Sequence, residues 1–483
     1  MKIALIGLLL AVTGPAAADN LIRAHGKYSE AYQSDWSALP TGCELARHDP
    51  GEFGFQEVAG EQARQSFVDQ DEVLVSGKRH MVSWAQPECD KYKHSLYYFR
   101  NCKLVRIEDM AVIQADTDFR ASSTFFFEDC DRVEIRDCYL AGTCGRAFIR
   151  LEGSREYFID RVEIAGLRGE DGRFRAGPGI FINNGAGWDE ARGRPGSLWS
   201  PDPANLEWGV IQNSYFHEYG LTDPIHNHDA ILFHAPADGI VFNCYFENWE
   251  ADSALDDSHR RNDAGYQHHV HRIERNVFRN CHRVKTNGAV GSPTCALVWA
   301  NNLYVDSSLT DYHTDWDNWH LHETFVYGEF RPSYFLVMHC RQGATPFRNC
   351  LLYAPATVKY VYETMGDTPN QDLAMIRPDY FMYLMPAPVA WLHPRTANNV
   401  QIDTWEQWRA TGADANSTFR DAPPGFADAE SFDYRLRADS PAAGAGSRET
   451  LMAAGLRPAI TRDFLGTPRP DLPSCGAFEV VQE

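Results

Sequence analysis

The sequence predicts an all-β fold in which short strands wind into a coil and each turn stacks on the one before it. Two observations carry this prediction. Short segments with alternating apolar side chains recur along the chain. None of them is followed by the helical pattern of about 10–15 residues that leucine-rich or helical repeats need. A β-sandwich or a propeller, which also uses many short strands, is the alternative fold.

The repeated segment occurs in seven clear copies, which are 107–112, 135–140, 159–164, 211–216, 241–246, 273–278 and 347–352. The first six copies follow one another at intervals of 28, 24, 52, 30 and 32 residues. A period of ~24–32 residues is typical of a stacked solenoid. The interval of 52 corresponds to two turns or to one turn with an insertion, and the Gly-, Pro- and Arg-rich stretch 166–202 favours the insertion.

The third position of the copies is mostly Asp or Asn, as in Asp109, Asp137, Asn213 and Asn243. These residues tolerate left-handed backbone geometry, and their side chains form hydrogen bonds along a stack. We therefore predict a corner at this position, with the Ile, Val and Phe side chains of the copies buried inside the coil.

The N-terminus has the pattern of a secretory signal peptide over residues 1–18. Lys2 precedes the apolar run 3–12, Gly14-Pro15 interrupts it, and three alanines precede Asp19. The run is shorter than the ~20 residues of a spanning helix, although an N-terminal membrane anchor is the alternative. We expect an exported, periplasmic or extracellular monomer that does not insert into a membrane.

The charge balance of the chain limits the classes of partner and substrate that it can bind. The chain of 483 residues has 45 Lys and Arg against 66 Asp and Glu, a formal net charge of −21. This balance argues against a nucleic-acid partner, because phosphate contacts need a basic face. A polyanionic substrate would need a local basic patch or a bound cation.

The chain has 12 cysteines, an even number that permits disulfides in an exported protein. It has no CxxC pair, so a structural zinc site is not expected. Cys138, Cys244 and Cys350 share one repeat position, which indicates that some of the cysteines are buried thiols in a stack.

Four segments follow from this organisation. Residues 1–18 are the predicted signal peptide, 19–95 an N-terminal cap over the open end of the coil, and 96–355 the coil with its groove. Residues 356–483 are predicted to form further turns and a closing segment that covers the other end or one flank. Within them, 404–409 is a predicted short helix.

Over roughly residues 95–355 the chain resembles the right-handed parallel β-helix of the pectin-lyase type. The C-terminal segments 432–436, 440–444, 463–466, 469–470 and 476–479 resemble the closing segment of secreted bacterial β-helix carbohydrate enzymes. The resemblance implies a right-handed parallel β-helix and activity on a carbohydrate. This fold hosts lyases, hydrolases, epimerases and inert adhesins, so it does not fix the reaction.

Ionisable residues are densest over 217–288, two to three predicted turns. The candidates are Asp229, Asp252, Asp256, Asp257, His226, His228, His259, Arg260, Arg261, Arg272, Arg283 and Lys285. In a coil of ~25–30 residues per turn, Asp229, Asp252 or Asp256, and Arg283 or Lys285 would form one row on one face, a mixture suited to acid–base work on a sugar. The alternative is a set of solvated turn residues.

The first chemistry that fits is proton abstraction from a uronic-acid polysaccharide. A cation, Ca²⁺ or an Arg, neutralises the C6 carboxylate, and a base removes the C5 proton. Elimination then gives a lyase, and reprotonation from the other face gives an epimerase. Asp229, Asp252, Asp256 and Asp257 would hold Ca²⁺ through oxygen ligands.

In this chemistry Arg283 and Lys285 are the candidate clamp and base, and His226, His228 and His259 are further proton-transfer candidates. The arrangement resembles the β-helix polysaccharide lyases. The segment 219–229 is similar to the Tyr-Gly…Asp-Pro-His-Asp segment of bacterial mannuronan C5-epimerases, but extra residues interrupt it.

The second chemistry is glycoside hydrolysis by paired carboxylates. Segments 227–231, 250–252 and 283–286 are similar to the Asn-Thr-Asp, Gly-Asp-Asp and Arg-Ile-Lys motifs of polygalacturonases. Ala251 stands where the first Asp of the pair is expected, and the Gly-His-Gly segment is missing. A non-catalytic glycan-binding β-helix is the third alternative.

Arg260, Arg261 and Arg272 are predicted to bind an acidic substrate, and Trp249, Trp316 and Trp319 to stack on its sugar rings, with core packing as the alternative for the tryptophans. Together with Arg283 and Lys285, these arginines would make the candidate groove mixed in charge. We therefore expect a lyase acting on a uronic-acid polysaccharide, with the hydrolase, the epimerase and the glycan-binding protein as alternatives.

Overall fold

A computed structural model describes residues 52–84, 95–114, 123–142, 144–168, 174–175, 179–183, 207–219, 229–233, 237–249, 253–257, 270–281, 283–287, 296–312, 317–328, 334–339, 345–364, 376–394, 400–448 and 460–480. Over these residues the chain is nearly all β, with 38 strands and two short helices. The strands of successive coils pair in parallel, which confirms the predicted right-handed parallel β-helix. No helix in the described ranges is both long enough and apolar enough to cross a membrane.

The first twenty strands are β1 (Gln56–Ala59), β2 (Gln65–Val68), β3 (Glu72–Ser76), β4 (Arg79–Ser83), β5 (Tyr97–Arg100), β6 (Leu104–Glu108), β7 (Ala111–Gln114), β8 (Ser123–Glu128), β9 (Arg132–Gly142), β10 (Ala147–Glu152), β11 (Glu156–Ala165), β12 (Leu167–Arg168), β13 (Phe174–Arg175), β14 (Ile180–Asn183), β15 (Glu207–Gln212), β16 (Tyr215–Tyr219), β17 (Ile231–Phe233), β18 (Ala237–Phe242), β19 (Tyr245–Trp249) and β20 (Leu255–Asp257). Helix α1 (Gly60–Ala63) separates β1 from β2.

The remaining strands are β21 (Val270–Glu274), β22 (Val277–Arg279), β23 (Val284–Asn287), β24 (Ala296–Ala300), β25 (Leu303–Val305), β26 (Leu309–Tyr312), β27 (Asp317–Leu321), β28 (Thr324–Val326), β29 (Tyr334–His339), β30 (Thr345–Arg348), β31 (Leu351–Tyr353), β32 (Tyr360–Thr364), β33 (Ile376–Asp379), β34 (Met382–Leu384), β35 (Ala390–Pro394), β36 (Thr418–Arg420), β37 (Phe426–Asp428) and β38 (Asp433–Leu436). Helix α2 (Trp405–Ala410) confirms the predicted short helix and begins with a capping box between Thr404 and Gln407.

The described residues form two compact units. The first unit comprises those from 52 to 257 together with 279–285, and the second those at 270–278 and from 286 onward. In the first unit, sheet 1 contains β2, β5, β8, β10, β14, β17 and β20. Sheet 2 takes two strand segments from each coil. Its leading half holds β3, β6, β15, β18 and the starts of β9 and β11, and its trailing half holds β1, β4, β7, β16, β19 and the ends of β9 and β11.

The inside of the first unit is filled by columns of like side chains. Phe67, Phe99 and Phe127 stack at centroid distances of 5.2 and 4.9 Å across three coils. Strands β3 and β5 alternate between buried and more exposed residues, as half-buried strands do. Each fully buried side chain of this size contributes about 1.5–3 kcal/mol, so the columns stabilise the first unit substantially.

The corners confirm the repeat analysis. The third residues of all seven copies have positive φ, between 50 and 58°. Their side chains bond from coil to coil: Asn243 Nδ2 donates to Asn213 Oδ1 at 2.6 Å, and Arg161 Nε donates to Asp137 Oδ1 at 2.6 Å. These bonds offset the roughly 1–2 kcal/mol that left-handed geometry costs a residue with a Cβ.

The described part of the predicted N-terminal cap, 52–84, differs from a simple cap. Strands β2, β3 and β4 pair in parallel with β5, β6 and β7 of the next coil, so this stretch already contributes coil strands. Val73 and Val75 are buried in β3, as the coil requires. Phe53 and Phe55 pack on the outer face of the trailing half instead, against Ala111, Ile113 and Tyr139.

The second unit has the same coil plan with a polar ladder inside it. Phe278, Tyr304 and Phe325 stack at 5.1 and 4.3 Å. Next to this stack, Asn276 Nδ2 donates to Asn302 Oδ1 at 3.1 Å, and Asn302 Nδ2 donates to Glu323 Oε1 at 3.1 Å. Burial raises the pKa of Glu323 to about 8, although hydrogen bonds from Tyr304 and Asn302 act in the opposite direction.

Two described parts of the C-terminal stretch, 400–448 and 460–480, contact the coils. At the end of the coil, Trp408 of α2 stacks on Tyr362 at 5.0 Å. Its indole N–H donates to Asp414, which also accepts from the Tyr383 hydroxyl at 2.8 Å. Burial raises the pKa of Asp414 to about 6.

Along the flank lie residues 460–480, here called the clasp. Asn301 Nδ2 donates to Arg462 O at 2.9 Å, and Arg469 donates to Asn301 Oδ1 at 2.6 Å and forms a buried ion pair with Glu479. Asn349, another corner residue, bonds Ser447, which lies before the clasp in sequence. Its Oδ1 accepts from Ser447 N at 2.8 Å, and its Nδ2 donates to Ser447 O at 2.9 Å. In this unit the corner side chains therefore hold the C-terminal segment rather than only one another.

Eight cysteines lie in the described ranges, and all are buried thiols. Cys102 and Cys130 are neighbours in successive coils, and burial raises the pKa of Cys130 to about 12. Cys138, Cys244 and Cys350 each follow a corner residue and point into the protein, as the repeat position predicted. Cys43, Cys89, Cys295 and Cys340 lie outside the described residues.

We expect Glu323→Gln to flatten the pH dependence of the stability of the second unit. The pKa of Glu323 is higher in the folded protein, so its contribution is fully present below the usual carboxyl range and is lost as the pH rises toward about 8. Denaturant unfolding at pH 5 and pH 8 should show a loss on the order of a few kcal/mol in the wild type and a smaller loss in the variant. Glu430→Gln, at an exposed position, is the control. Equal losses in all three proteins would contradict the prediction.

Arg469→Ala is expected to destabilise the second unit by about 3–5 kcal/mol, because it leaves Glu479 buried without its charge partner. Arg437→Ala removes an exposed arginine paired with Asp439 and should change little. The midpoint of chemical denaturation measures both. A loss for Arg469→Ala no larger than that for Arg437→Ala would show that the clasp does not stabilise the coils.

Candidate functional site

The predicted acidic segments lie in the last two turns of sheet 1, and the basic segment lies in the turn that follows. Ile231 N donates to Ala254 O at 3.2 Å, and this bond accompanies the pairing of Ile231 with Leu255. One turn on, Ala254 N donates to Arg283 O at 3.0 Å. In both cases the donor lies opposite the residue that follows the acceptor, so Val284 lies opposite Ala254 in the next strand.

Residues that lie opposite one another in successive strands are here said to share a level, and the register gives the level of each candidate. Ala230 N donates to Ser253 O at 3.0 Å, so Asp229, Ser253 and Arg283 share one level in three successive turns. Lys285, in β23, lies two residues further along. Asp229 is completely buried and Arg283 is half-buried. The alternative of a solvated turn residue therefore does not describe Asp229.

Asp256 lies at a different level, opposite Leu232 and three residues beyond that of Asp229. It ends a column on the outer side of sheet 1 that contains Phe126, Arg150, Phe181 and Leu232. The Arg150 guanidinium lies 4.2 Å from the centre of the Phe126 ring, and Asp256 is only 1% exposed. The predicted single row is thus divided between two levels.

Several predicted residues lie outside the described ranges: His226, His228, Asp252, His259, Arg260, Arg261 and Trp316. Asp257 ends β20, one residue after Asp256. Among the residues that are described, no three His, Cys, Asp or Glu side chains group closely enough to hold a metal ion. The predicted Ca²⁺ site therefore stays a prediction.

Three predicted substrate contacts have described surroundings that favour packing. Trp249 is fully buried in β19, which favours the core-packing alternative over a sugar platform. In the second unit, Arg272 is 7% exposed, and its guanidinium bonds Glu274 at 2.6 and 2.7 Å. Trp319, also in the second unit, packs on Val298 and neighbouring apolar residues while remaining partly exposed.

A second group of ionisable residues, which the sequence analysis missed, lies on the outer face of the trailing half of sheet 2. We call it the outer cluster: Glu163, Tyr215, His217, Tyr245, Glu247 and Arg279. Ile164, Phe216 and Phe246 form the buried column on the inner side, so their neighbours in β11, β16 and β19 point outward.

Within the outer cluster, two carboxylates hold two nitrogen bases. His217 Nε2 lies 2.8 Å from Glu163 Oε1, and its ring stacks on Tyr215 at 4.0 Å. The Tyr215 hydroxyl donates to Glu247 Oε2 at 2.6 Å, and Arg279 donates to Glu247 Oε1 at 3.1 Å. Glu163 and Glu247 are buried, His217 keeps a small accessible surface, and 42% of the Arg279 side chain is exposed.

A signal for the outer cluster was present in the repeat. The residue directly after each copy is Ile113, Ala141 and Ala165 in three consecutive copies, and His217, Glu247 and Arg279 in the next three. Phe53 and Phe55 cover the apolar part of this column. At this repeat position the residues therefore change from apolar to ionisable beyond the part of the column that Phe53 and Phe55 cover.

Comparison of the chain with protein-family models found no match, and comparison with curated proteins found no match either. The function is therefore argued from these residues alone.

We expect Asp256→Asn and Asp256→Ala to lower the free energy of unfolding of the first unit by about 1–3 kcal/mol, because the groups that contact this buried carboxylate lose their partner. Asp131→Ala, at a half-exposed surface ion pair with Arg155, is the control. Thermal and denaturant unfolding measure the difference. Unchanged stability in both Asp256 variants would show that burial of this carboxylate does not contribute to the fold.

Proposed function

We propose that the protein is a carbohydrate-active enzyme that cleaves a uronic-acid polysaccharide by β-elimination. The observation that carries the proposal is the register of sheet 1 and of the turn that follows it, in which Asp229, Asp256, Arg283 and Lys285 belong to three successive turns. Successive turns are ~4.8 Å apart, so the backbone positions of Asp229, Arg283 and Lys285 fall within ~12 Å of one another. Asp256, an odd number of levels from Asp229, faces the other side of the sheet.

The reaction needs a group that neutralises the uronate carboxylate and a base for the C5 proton. Arg283, half-buried at the start of β23, supports the first role because a guanidinium binds a carboxylate through two parallel hydrogen bonds. Lys285 follows two residues later, at the level of Leu255, and is the proposed base. The leaving oxygen at C4 takes its proton from a second acid, for which His228 and His259 are the candidates.

The positions of the buried carboxylates of Asp229 and Asp256 differ from those of the two carboxylates in a glycosidase. Asp229 and Asp256 are separated by three residues along the strand and by one turn, which places their Cα atoms ~11 Å apart. Hydrolysis needs two accessible carboxyl groups about 5–9.5 Å apart. Burial of both carboxylates therefore disfavours the hydrolase relative to elimination. Reprotonation at C5 would make the same site an epimerase.

The protein is expected to act on one or more of a panel of acidic polysaccharides, producing the ultraviolet absorbance of an unsaturated uronate. A chelator should lower the rate if Ca²⁺ takes part, and added Ca²⁺ should restore it. New reducing ends without this absorbance would overturn the lyase in favour of hydrolysis, and a changed epimer ratio without cleavage would point to the epimerase. Binding without turnover would leave the glycan-binding alternative.

Lys285→Ala and Asp252→Ala should each abolish turnover while leaving the circular dichroism spectrum unchanged. The matched control is Lys103→Ala, which removes an exposed lysine that pairs with Asp71 at the surface. Retained activity in both site variants would refute the placement of the reaction at these turns.

A further inference from the structure

The outer cluster differs from an ordinary surface ion-pair network in the same unit. On the leading half of sheet 2, Arg106 and Arg132 both pair with the buried carboxylate of Glu134. In the outer cluster, two buried carboxylates also hold a histidine ring and a tyrosine hydroxyl, at 2.8 and 2.6 Å. Burying two carboxylates costs free energy that the same positions avoid in earlier coils, where Tyr139 and Ala165 stand.

The arrangement of the carboxylates beneath His217 and Arg279 indicates the kind of ligand that the outer cluster would bind. Glu163 fixes the His217 ring through one nitrogen, and Glu247 fixes Arg279 through one guanidinium nitrogen. Oriented nitrogen groups that are held from beneath by carboxylates suit a ligand rich in hydrogen-bond acceptors. His217 is paired in register with Glu247, and the ion pair joins Glu247 to Arg279, so the two bases are two coils, or ~9.6 Å, apart.

We propose that the outer cluster is a second binding site for the same acidic polysaccharide, with Arg279 binding a uronate carboxylate and His217 a neighbouring sugar oxygen. The spacing of the two bases is close to the length of a disaccharide unit. This inference rests on the proposed function for the identity of the ligand, but not for the existence of the site. Tyr215 and Tyr245 act as positioning residues, because they lie between the two carboxylates and bond or adjoin Glu247.

The test is the affinity for polygalacturonate, measured by calorimetry in the Lys285→Ala background so that turnover does not consume the polymer. Arg279→Gln is expected to weaken binding about tenfold and His217→Gln about threefold, as expected for a charge-assisted and a neutral hydrogen bond. Arg132→Gln is the matched control, since it removes an arginine of similar exposure that is also paired with glutamate. Dextran, a neutral polymer, should bind none of these proteins appreciably.

The outcomes separate this inference from the proposed function. Equal weakening by Arg279→Gln and Arg132→Gln, with the melting temperature unchanged, would overturn the second site and leave only a general charge effect. Binding that depends on Arg279, in a protein whose wild type turns over no polysaccharide, would support the site and refute the lyase. Turnover in the wild type, with affinity unchanged by Arg279→Gln and His217→Gln, would support the lyase and refute the second site.

Discussion

The left-handed corner is the constraint on which the coils depend. Each copy of the repeat passes from one strand to the next through a single residue with positive φ, such as Asp109 or Asn213. That residue fixes the phase of both strands, and a shift by one position would exchange the inner and outer faces. Inner columns such as Phe216 on Phe246 and outer groups such as His217 and Glu247 therefore follow from the same local geometry.

The corner residues also show how one repeat position serves different purposes. In the first unit Asp137 is half exposed and bonds Arg161, its neighbour in the stack. In the second unit Asn301 and Asn349 are fully buried and bond the C-terminal part of the chain. Arg275, which has no intrinsic preference for left-handed geometry, donates to Phe464 O in the clasp. Tertiary contacts thus allow residues at the corner that local preference alone would disfavour.

Much of the fold could be predicted from the sequence because copies of the repeat record both the alternation of the strands and the corner. The start of the coil could not, since 65–83 has Gly77 at its corner and resembles the copies only in its buried Val73 and Val75. The site was predicted by turn but not by level. Twenty-four residues separate Leu232 from Asp256, which pair, whereas Asp229 is 27 residues from Asp256. Strand register, rather than the length of a turn, decides which side chains share a level.

The clasp has a consequence for the order in which the molecule is completed. It joins residues that are far apart in sequence, with a separation of 189 positions for Arg275 and Phe464 and of 161 for Asn301 and Arg462. Contacts of such separation form late, and synthesis proceeds from the N-terminus. The coils of the second unit are therefore synthesised before the clasp. Until the clasp docks, the side-chain amide of Asn301 lacks two partners, Arg462 and Arg469, that it has in the finished fold.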